Sequence, residues 1–361
     1  MSESLTPELI RDIMSKERVM LVGGAGFIGH HLALELRAHG VDTLVLDNLM
    51  QNNIVANVSS GGLDPFRRAL YHRFLLDRFT AMREAGVAIV NADARSLADL
   101  SWAIHNYQPT HIVHLSAIAS ALEAKKDPGY CFDLQLITLR NVLELARSNS
   151  CIKHVMLISS STVYGDFETP TVDETTRPQP RGIYANTKYM SERLVRTYAD
   201  QYGLATTIVR PSALYGERCI SGRVSQAFIE NALRGKPLLL EGGGSGRLDF
   251  THISDLVNGM VRGLAYCERM GQKPYTNTYN LTFGNARTIA DLAAVVKDVI
   301  PEAILEDRPR DDNKPVRGTL SIERAREQLN FVPSQTLETG YRRYCQWYVD
   351  QWRAVQAEMK L

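Results

Sequence analysis

Residues Val19-Met20-Leu21-Val22 run straight into Gly23-Gly24-Ala25-Gly26-Phe27-Ile28-Gly29, and a helical pattern follows over 30–38. An apolar strand, a glycine-rich turn and an amphipathic helix in immediate succession leave few folds open to the chain. Glycines at this spacing allow a tight turn, close approach of backbone to a ligand, and close packing of helix on strand. The first N–H groups of the helix and its positive dipole end then face the turn, so the site favours an anion. Such a run is often only a turn; set between a strand and a helix, it predicts a dinucleotide pyrophosphate site at Gly23, Gly26, Phe27, Ile28 and Gly29.

Further apolar runs at 43–46, 87–90, 111–115, 154–158 and 206–209 read as buried strands, with helical patterns between several of them. That alternation predicts an α/β fold with a Rossmann-type, doubly wound parallel sheet. After Arg210-Pro211 the texture changes, with punctuation at Gly235-Lys236-Pro237, 241–246, Lys273-Pro274 and Arg308-Pro309 and helical patterns at 226–233, 254–266, 288–299 and 322–329. The expected organisation is a dinucleotide-binding domain over 1–210 and a smaller mixed α/β substrate-binding portion over 211–361. The second portion is expected to close over the carboxyl ends of the strands, where such sheets bind ligands. Residues 49–86 read as an insertion. It contains Gly61-Gly62 and a basic helical run at 66–83, and no role is apparent for it.

The 361 residues carry a formal net charge of +1 and no basic tract, which disfavours nucleic acid as a partner. Cys131, Cys151, Cys219, Cys267 and Cys345 are scattered without metal-ligand spacing or a disulfide framework, so no metal and a reducing, cytoplasmic setting are expected. Residues 1–18 are polar, and no stretch approaches the roughly 20 apolar residues of a membrane helix. A soluble chain without a membrane partner is the expectation.

The second strand ends at Asp47-Asn48, about 20 residues beyond the glycines. A carboxylate there accepts both ribose hydroxyls and repels a 2′-phosphate, selecting NAD over NADP. A turn or cap aspartate is the alternative. Asp93, after the third strand, is placed to meet the adenine amine, and a turn role competes with that too.

Tyr184 and Lys188 stand four apart in a helical pattern reaching Tyr202, which puts phenol and ammonium on one helix face. A free tyrosine titrates near ~10. A cation about 5 Å away at an effective dielectric of ~20 contributes roughly 3 kcal/mol, or about two pKa units. The spacing is common by chance on helix surfaces. The run Ser159-Ser160-Ser161-Thr162-Val163-Tyr164-Gly165 adds hydroxyls at the end of the 154–158 strand, where one can orient proton transfer. Others there satisfy loop backbone.

In chain order, 23–29, Asp47, His114-Leu115-Ser116-Ala117, 159–165, 184–188, 210–216, 249–255 and the ending 324–333 resemble the extended short-chain dehydrogenase/reductase family. The resemblance is to its NAD-dependent nucleotide-sugar epimerase/dehydratase branch and spans nearly the whole chain. It implies NAD as cofactor, with Asn48, Ala94, Leu115, Ala117, Tyr184 and Lys188 joining the residues above as contacts. It implies Ser160, Tyr184 and Lys188 as the catalytic set, counting back from Val163-Tyr164-Gly165.

Sugar 4,6-dehydratases of the branch carry Asp-Glu after that hydroxyl, and UDP-glucuronate decarboxylases carry Glu at the second position. Here Ser161 and Thr162 stand there, so the resemblance favours a 4-epimerase. Its implied chemistry is proton abstraction from the sugar 4-hydroxyl by Tyr184 with C4 hydride passing to NAD. The 4-keto sugar then turns about its diphosphate link, and hydride and proton return. Thr162, Arg223 and Arg308 are the implied substrate contacts, the arginines toward diphosphate or uridine. The stretch 222–263 is most similar to enzymes of UDP-glucuronate, implying a uronate-bearing substrate.

Three positions depart from the branch: Ala213 where Asn is usual, Leu248 where Arg is usual with Arg247 displaced by one, and Gln135 where Asn is usual. Three alternatives stay open. One is a lyase using Asp166 or Glu168, another a 4-ketoreductase or dehydrogenase consuming NAD(H), and the third a non-enzymatic NAD-binding protein. The resemblance also implies a homodimer through helices near 133–147 and 184–202.

Overall fold

The computed structural model describes residues 5–59, 62–118, 120–271, 276–311 and 315–360. Gly61 and Lys273-Pro274 lie outside them. Seven strands form the central sheet: β1 (Arg18–Val22), β2 (Asp42–Asp47), β3 (Ala88–Asn91), β4 (His111–His114), β5 (His154–Ile158), β6 (Ala205–Arg210) and β7 (Thr276–Asn280). Every neighbouring pair is parallel, in the order β7-β6-β5-β4-β1-β2-β3. The doubly wound α/β fold is therefore present, and six strands fall within a residue of the runs that foretold them.

The seventh strand has no apolar run to betray it. Its sequence, Thr-Asn-Thr-Tyr-Asn, is polar because it is an edge strand whose first two residues are half-buried. There the Thr276 and Thr206 hydroxyls hydrogen-bond at 2.8 Å. The chain beyond 210 thus returns to the sheet.

The helices used below are α1 (Phe27–Ala38), α2 (Pro65–Glu84), α3 (Gly182–Tyr202), α4 (Val224–Leu233), α5 (Ile253–Arg269) and α6 (Arg342–Glu358). Alternate residues of each strand face opposite layers. Leu21, Val113 and Met156 pack with Leu32 and Leu36 of α1 and with Leu256, Met260 and Leu264 of α5. Met20, Ile112, Val155 and Leu157 pack with Leu100, Ile104, Leu139, Val142 and Val195 on the other face. A third cluster, including Phe228, Leu238, Leu292, Tyr344 and Trp352, forms the core of the smaller mixed α/β portion, where Leu238–Glu241 pairs with Leu305–Arg308.

Among its described residues, the stretch 49–86 holds the helix Ile54–Ser59 and α2. Asp64 caps α2, accepting from Arg67 N, and Pro65 occupies its first turn. Phe74 of α2 meets Trp347 and Tyr348 of α6 at 4.8 and 5.4 Å between ring centres. Tyr71 donates to Glu230 of α4 at 2.6 Å. The helix α2 therefore packs against α4 and α6.

Candidate active site

The chain runs outward from β1 to β3 and then resumes beside β1 as β4, so a crevice opens where the strand order reverses. The glycine turn leaves β1 into that crevice. Gly23 has φ +79, and a Cβ on it would stand 2.7 Å from Ser116 N, just past β4. A Cβ on Gly29 would stand 2.3 Å from the Gly24 carbonyl oxygen, so glycine there lets the helix sit on the turn. On Gly26 the nearest atom would be 3.6 Å away, leaving that side open to a ligand. Because Gly26 is extended, α1 begins at Phe27, three residues before the apolar pattern, and its free N–H groups face the crevice.

One cavity is walled by Gly23, Gly26, Phe27, Ile28, Gly29, Asp47, Asn48, Leu115 and Ala117, all expected cofactor contacts. Asp47 is held by two backbone donors, Ala25 N at 2.9 Å and Leu49 N at 2.8 Å. Burial nevertheless raises its pKa against those two bonds. Asp93 and Ala94 line an adjoining recess with Asn48. There Asp93 accepts from Asn48 Nδ2 at 3.1 Å and from Arg95 Nη2 at 2.7 Å, and the Arg95 hydrogen bond leads in lowering its pKa. Gln51, Asn52, Arg78 and Ser116 also line the cofactor cavity. Sequence reasoning missed Gln51, Asn52 and Arg78 because no local motif links 49–86 to the glycine turn, whereas Ser116 stands between the two expected contacts Leu115 and Ala117.

The second cavity joins Ser160, Thr162, Tyr184, Lys188 and Arg223 with Ala213, Leu248 and Arg317. Ser160, two residues past β5, has extended backbone and caps a short turn, its Oγ accepting from Thr162 N at 3.2 Å and Thr162 Oγ1 at 3.0 Å. Lys188 is buried, and its Nζ donates to the Ile158 carbonyl at 2.8 Å. Burial pulls the Lys188 pKa down to about 8, opposed by Cys131 and Glu192. Thr187, between the two, donates to Gln135 Oε1 at 3.1 Å, so the residue in place of the usual Asn braces α3.

The electrostatics of Tyr184 correct the expectation from spacing. Burial raises the phenol pKa, and the opposing influences are the Arg223 charge and a hydrogen bond with Ser160, not Lys188. Lys188 donates to the β5 carbonyl, and desolvation of the phenol outweighs the groups that oppose it.

Arg308 is not brought to either cavity; it is exposed on its strand and ion-paired with Glu306 at 2.5 Å. Leu248 takes a place on the wall, whereas Arg247 is exposed. Arg317, which no motif marked, donates to the carbonyls of Gly165 at 2.7 Å and Ser161 at 3.3 Å, beside the hydroxyl loop. All five cysteines are free. Among the described residues one cluster has metal-ligand spacing, Glu17, His111 and Glu268, at the opposite ends of the strands. Lys153 Nζ bridges its carboxylates at 2.9 Å, an ion-pair network rather than an open ligand set.

The glycine turn, the Asp47 carboxylate and the Ser160–Tyr184–Lys188 face thus meet along one crevice. The pattern of the NAD dependent epimerase/dehydratase family matches residues 19–282. The chain belongs to that family. NAD is accordingly its cofactor, and the residues of the first cavity fit it: an open helix N-terminus, a glycine cradle a Cβ would fill, and a fixed carboxylate one strand over.

The chain is similar to a UDP-glucuronate 4-epimerase of Arabidopsis thaliana, 29% identical over 92% of this chain and 75% of that one. A UDP-glucuronic acid decarboxylase of the same plant is 28% identical over 90% of this chain and 68% of that one. The solved UDP-glucuronic acid 4-epimerase of Bacillus cereus, in complex with UDP-glucuronic acid and NAD, shares the fold. Its TM-score is 0.79 at 20% identity, covering 92% of this chain and 99% of that one.

Proposed function

We propose that this family member is a UDP-sugar 4-epimerase whose preferred sugar is a hexuronate. The observation that carries the reading is the charge of the substrate cavity. Among the described residues its wall holds Lys188, Arg223 and Arg317 and no aspartate or glutamate. Elimination or decarboxylation in this family, by the resemblance above, uses a carboxylate beside the catalytic hydroxyl. The stand-ins are turned away. Asp166 pairs with Arg181 at 2.6 Å and accepts from Val316 N, and Glu168 accepts from Gln179 at 3.0 Å. A wall with cations and no carboxylate suits an anionic sugar nucleotide and a reaction needing only one acid–base group.

NAD, when bound, supplies the hydride acceptor and returns the hydride. As its phenolate, which the Arg223 charge and the Ser160 hydroxyl favour, Tyr184 takes the proton of the sugar 4-hydroxyl as C4 is oxidised, and the resulting phenol gives it back when the 4-keto sugar is reduced on its other face. Ser160 holds the phenol and the sugar oxygen in line. Arg223 grips the diphosphate, so that the nucleotide stays bound while the sugar turns. Thr162 contacts the sugar and Arg317 the carboxylate, while Arg308 stands away from both cavities; most nucleotide-sugar contacts come from 211–361.

The free cysteines suit a cytoplasmic enzyme, and exposed Met190 and Tyr202 on α3 suit a homodimer. Among the described residues no helix is long and apolar enough to cross a membrane.

Incubation with UDP-glucuronate, UDP-glucose and N-acetylated relatives, followed by mass and chromatographic assay, tests the reading. An isomer of unchanged mass formed without net NAD turnover is expected. Loss of carbon dioxide or water makes the chain a lyase, and net consumption of NAD(H) makes it an oxidoreductase.

A further inference from the structure

Arg78 of the insertion helix α2 is fully buried, with 0% of its surface exposed. Its hydrogen bonds all go to backbone carbonyls, from Nε and Nη2 to Arg218 at 3.2 and 2.6 Å and from Nη1 to Asn52 at 3.4 Å. Among the described residues no carboxylate lies within ion-pair distance of it; burial lowers its pKa, and Cys219 and then Asp47 oppose that without forming an ion pair. An unpaired buried cation costs several kcal/mol, and a fold retains one where something negative arrives.

The surroundings are built to hold it. Both carbonyls come from residues with left-handed backbone, Arg218 at φ 63 and Asn52 at φ 47. For Arg218 that conformation costs roughly 1–2 kcal/mol, and such strain gathers at ligand sites. The other basic groups nearby are two histidines of α1 and Arg218 itself. His30 bonds the Gly26 carbonyl through Nδ1 at 2.9 Å and accepts from Arg218 Nε at 3.1 Å, which fixes it neutral and links Arg218 to the glycine turn. Arg78 forms part of the wall of the cofactor cavity, together with Gly26, Phe27 and Ile28 at the open N-terminus of α1.

We propose that Arg78, carried by the insertion, is the counter-charge for the diphosphate of the bound dinucleotide. This gives 49–86 a task beyond bracing α4 and α6. Cofactor binding neutralises a cation whose anchoring carbonyls come from both halves of the chain, and so locks the halves together. The inference concerns binding and does not depend on which sugar is turned over.

Full-length wild type, Arg78→Met and Arg78→Lys, freed of cofactor, are titrated calorimetrically with NAD, ADP-ribose, adenosine and UDP. A desolvated counter-charge of this kind is worth at least about 10- to 100-fold in affinity. Arg78→Met is expected to weaken NAD and ADP-ribose by that factor and to leave adenosine and UDP unchanged. The thermal midpoint of its cofactor-free form should not fall, because a buried unpaired charge has been removed. Arg78→Lys should lie between. Unchanged NAD affinity overturns the proposal, as does equal weakening of adenosine, which marks a structural strut. Weakening of UDP alone overturns it in favour of the substrate's diphosphate. If Arg78→Met does not fold, Arg78→Lys decides between the same outcomes.

Discussion

Glu192 and Arg210 form a bidentate ion pair inside the protein, with Nε–Oε1 2.9 Å, Nη2–Oε2 2.6 Å and both side chains almost wholly buried. Glu192 also accepts from Ser159 Oγ at 2.6 Å, and the Arg210 guanidinium lies 4.7 Å from the Tyr164 ring centre. The pair joins α3, which carries Tyr184 and Lys188, to β6 and to the hydroxyl loop after β5. Removing one partner of such a pair leaves the other charge buried alone. Glu192→Gln is expected to cost about 3–5 kcal/mol, read by urea denaturation. A loss under 1 kcal/mol would show that Arg210 finds another partner.

Tyr184→Phe removes the proton carrier and little packing. Turnover of the UDP-sugar should fall by about 10²–10⁴-fold, while NAD content and thermal midpoint stay at wild-type values. Retained turnover in this variant would move the acid–base role elsewhere, and Ser160 would be the next residue to test.

Arg317→Met should separate acidic from neutral sugars. The guanidinium is partly buried beside Ser161 and Gly165, and desolvation lowers its pKa to about 10, with Asp166 opposing. kcat/KM for UDP-glucuronate should drop by about 10- to 100-fold, with UDP-glucose little affected. An equal loss on both sugars makes Arg317 a brace for the hydroxyl loop.

How far the sequence foretold this arrangement follows from what is local and what is not. The glycine turn, Asp47 and the Tyr184–Lys188 spacing are short-range patterns with a geometric meaning, so they mark their places without a structure. β7 escaped because Thr276–Asn280 satisfies an edge position with hydroxyls and amides rather than an apolar run. Arg78 and Arg317 escaped because each reaches a cavity whose other walls are distant in the chain. The phenol's raised pKa was out of reach for a related reason. Spacing places a cation on the same face, but the balance is set by burial, against the Arg223 charge and the Ser160 hydroxyl, which no local pattern reveals.

Ala213 holds φ +36, a conformation that costs most L-residues roughly 1–2 kcal/mol and that Asn tolerates better. By the resemblance, Asn is usual there. Ala213→Asn is expected to raise stability by about 0.5–1 kcal/mol, a thermal midpoint higher by roughly 1–4 °C, and to return a polar group to the cavity wall. A lower midpoint would mean that the amide is crowded by Leu248 or Phe250.

Lys188 makes stability depend on pH with a definite sign. Burial lowers its folded pKa to about 8, against 10.5 for the ordinary side chain, so the folded protein releases this proton first. Below about 8 both states hold the proton, and the folded state carries the full cost of a buried ammonium. Between about 8 and 10.5 the unfolded chain binds more protons than the folded one, and stability rises with pH. At 1.36 kcal/mol per unit the contribution reaches about 2–3 kcal/mol by pH ~10. Lys188→Met has no such proton, and its stability is free of this contribution at every pH. The wild-type-minus-Lys188→Met difference in urea unfolding free energy should therefore shift in favour of wild type from pH ~7 to ~10. A flat difference would place the folded pKa near that of a free lysine and would show that the Ile158 carbonyl and Glu192 compensate the burial.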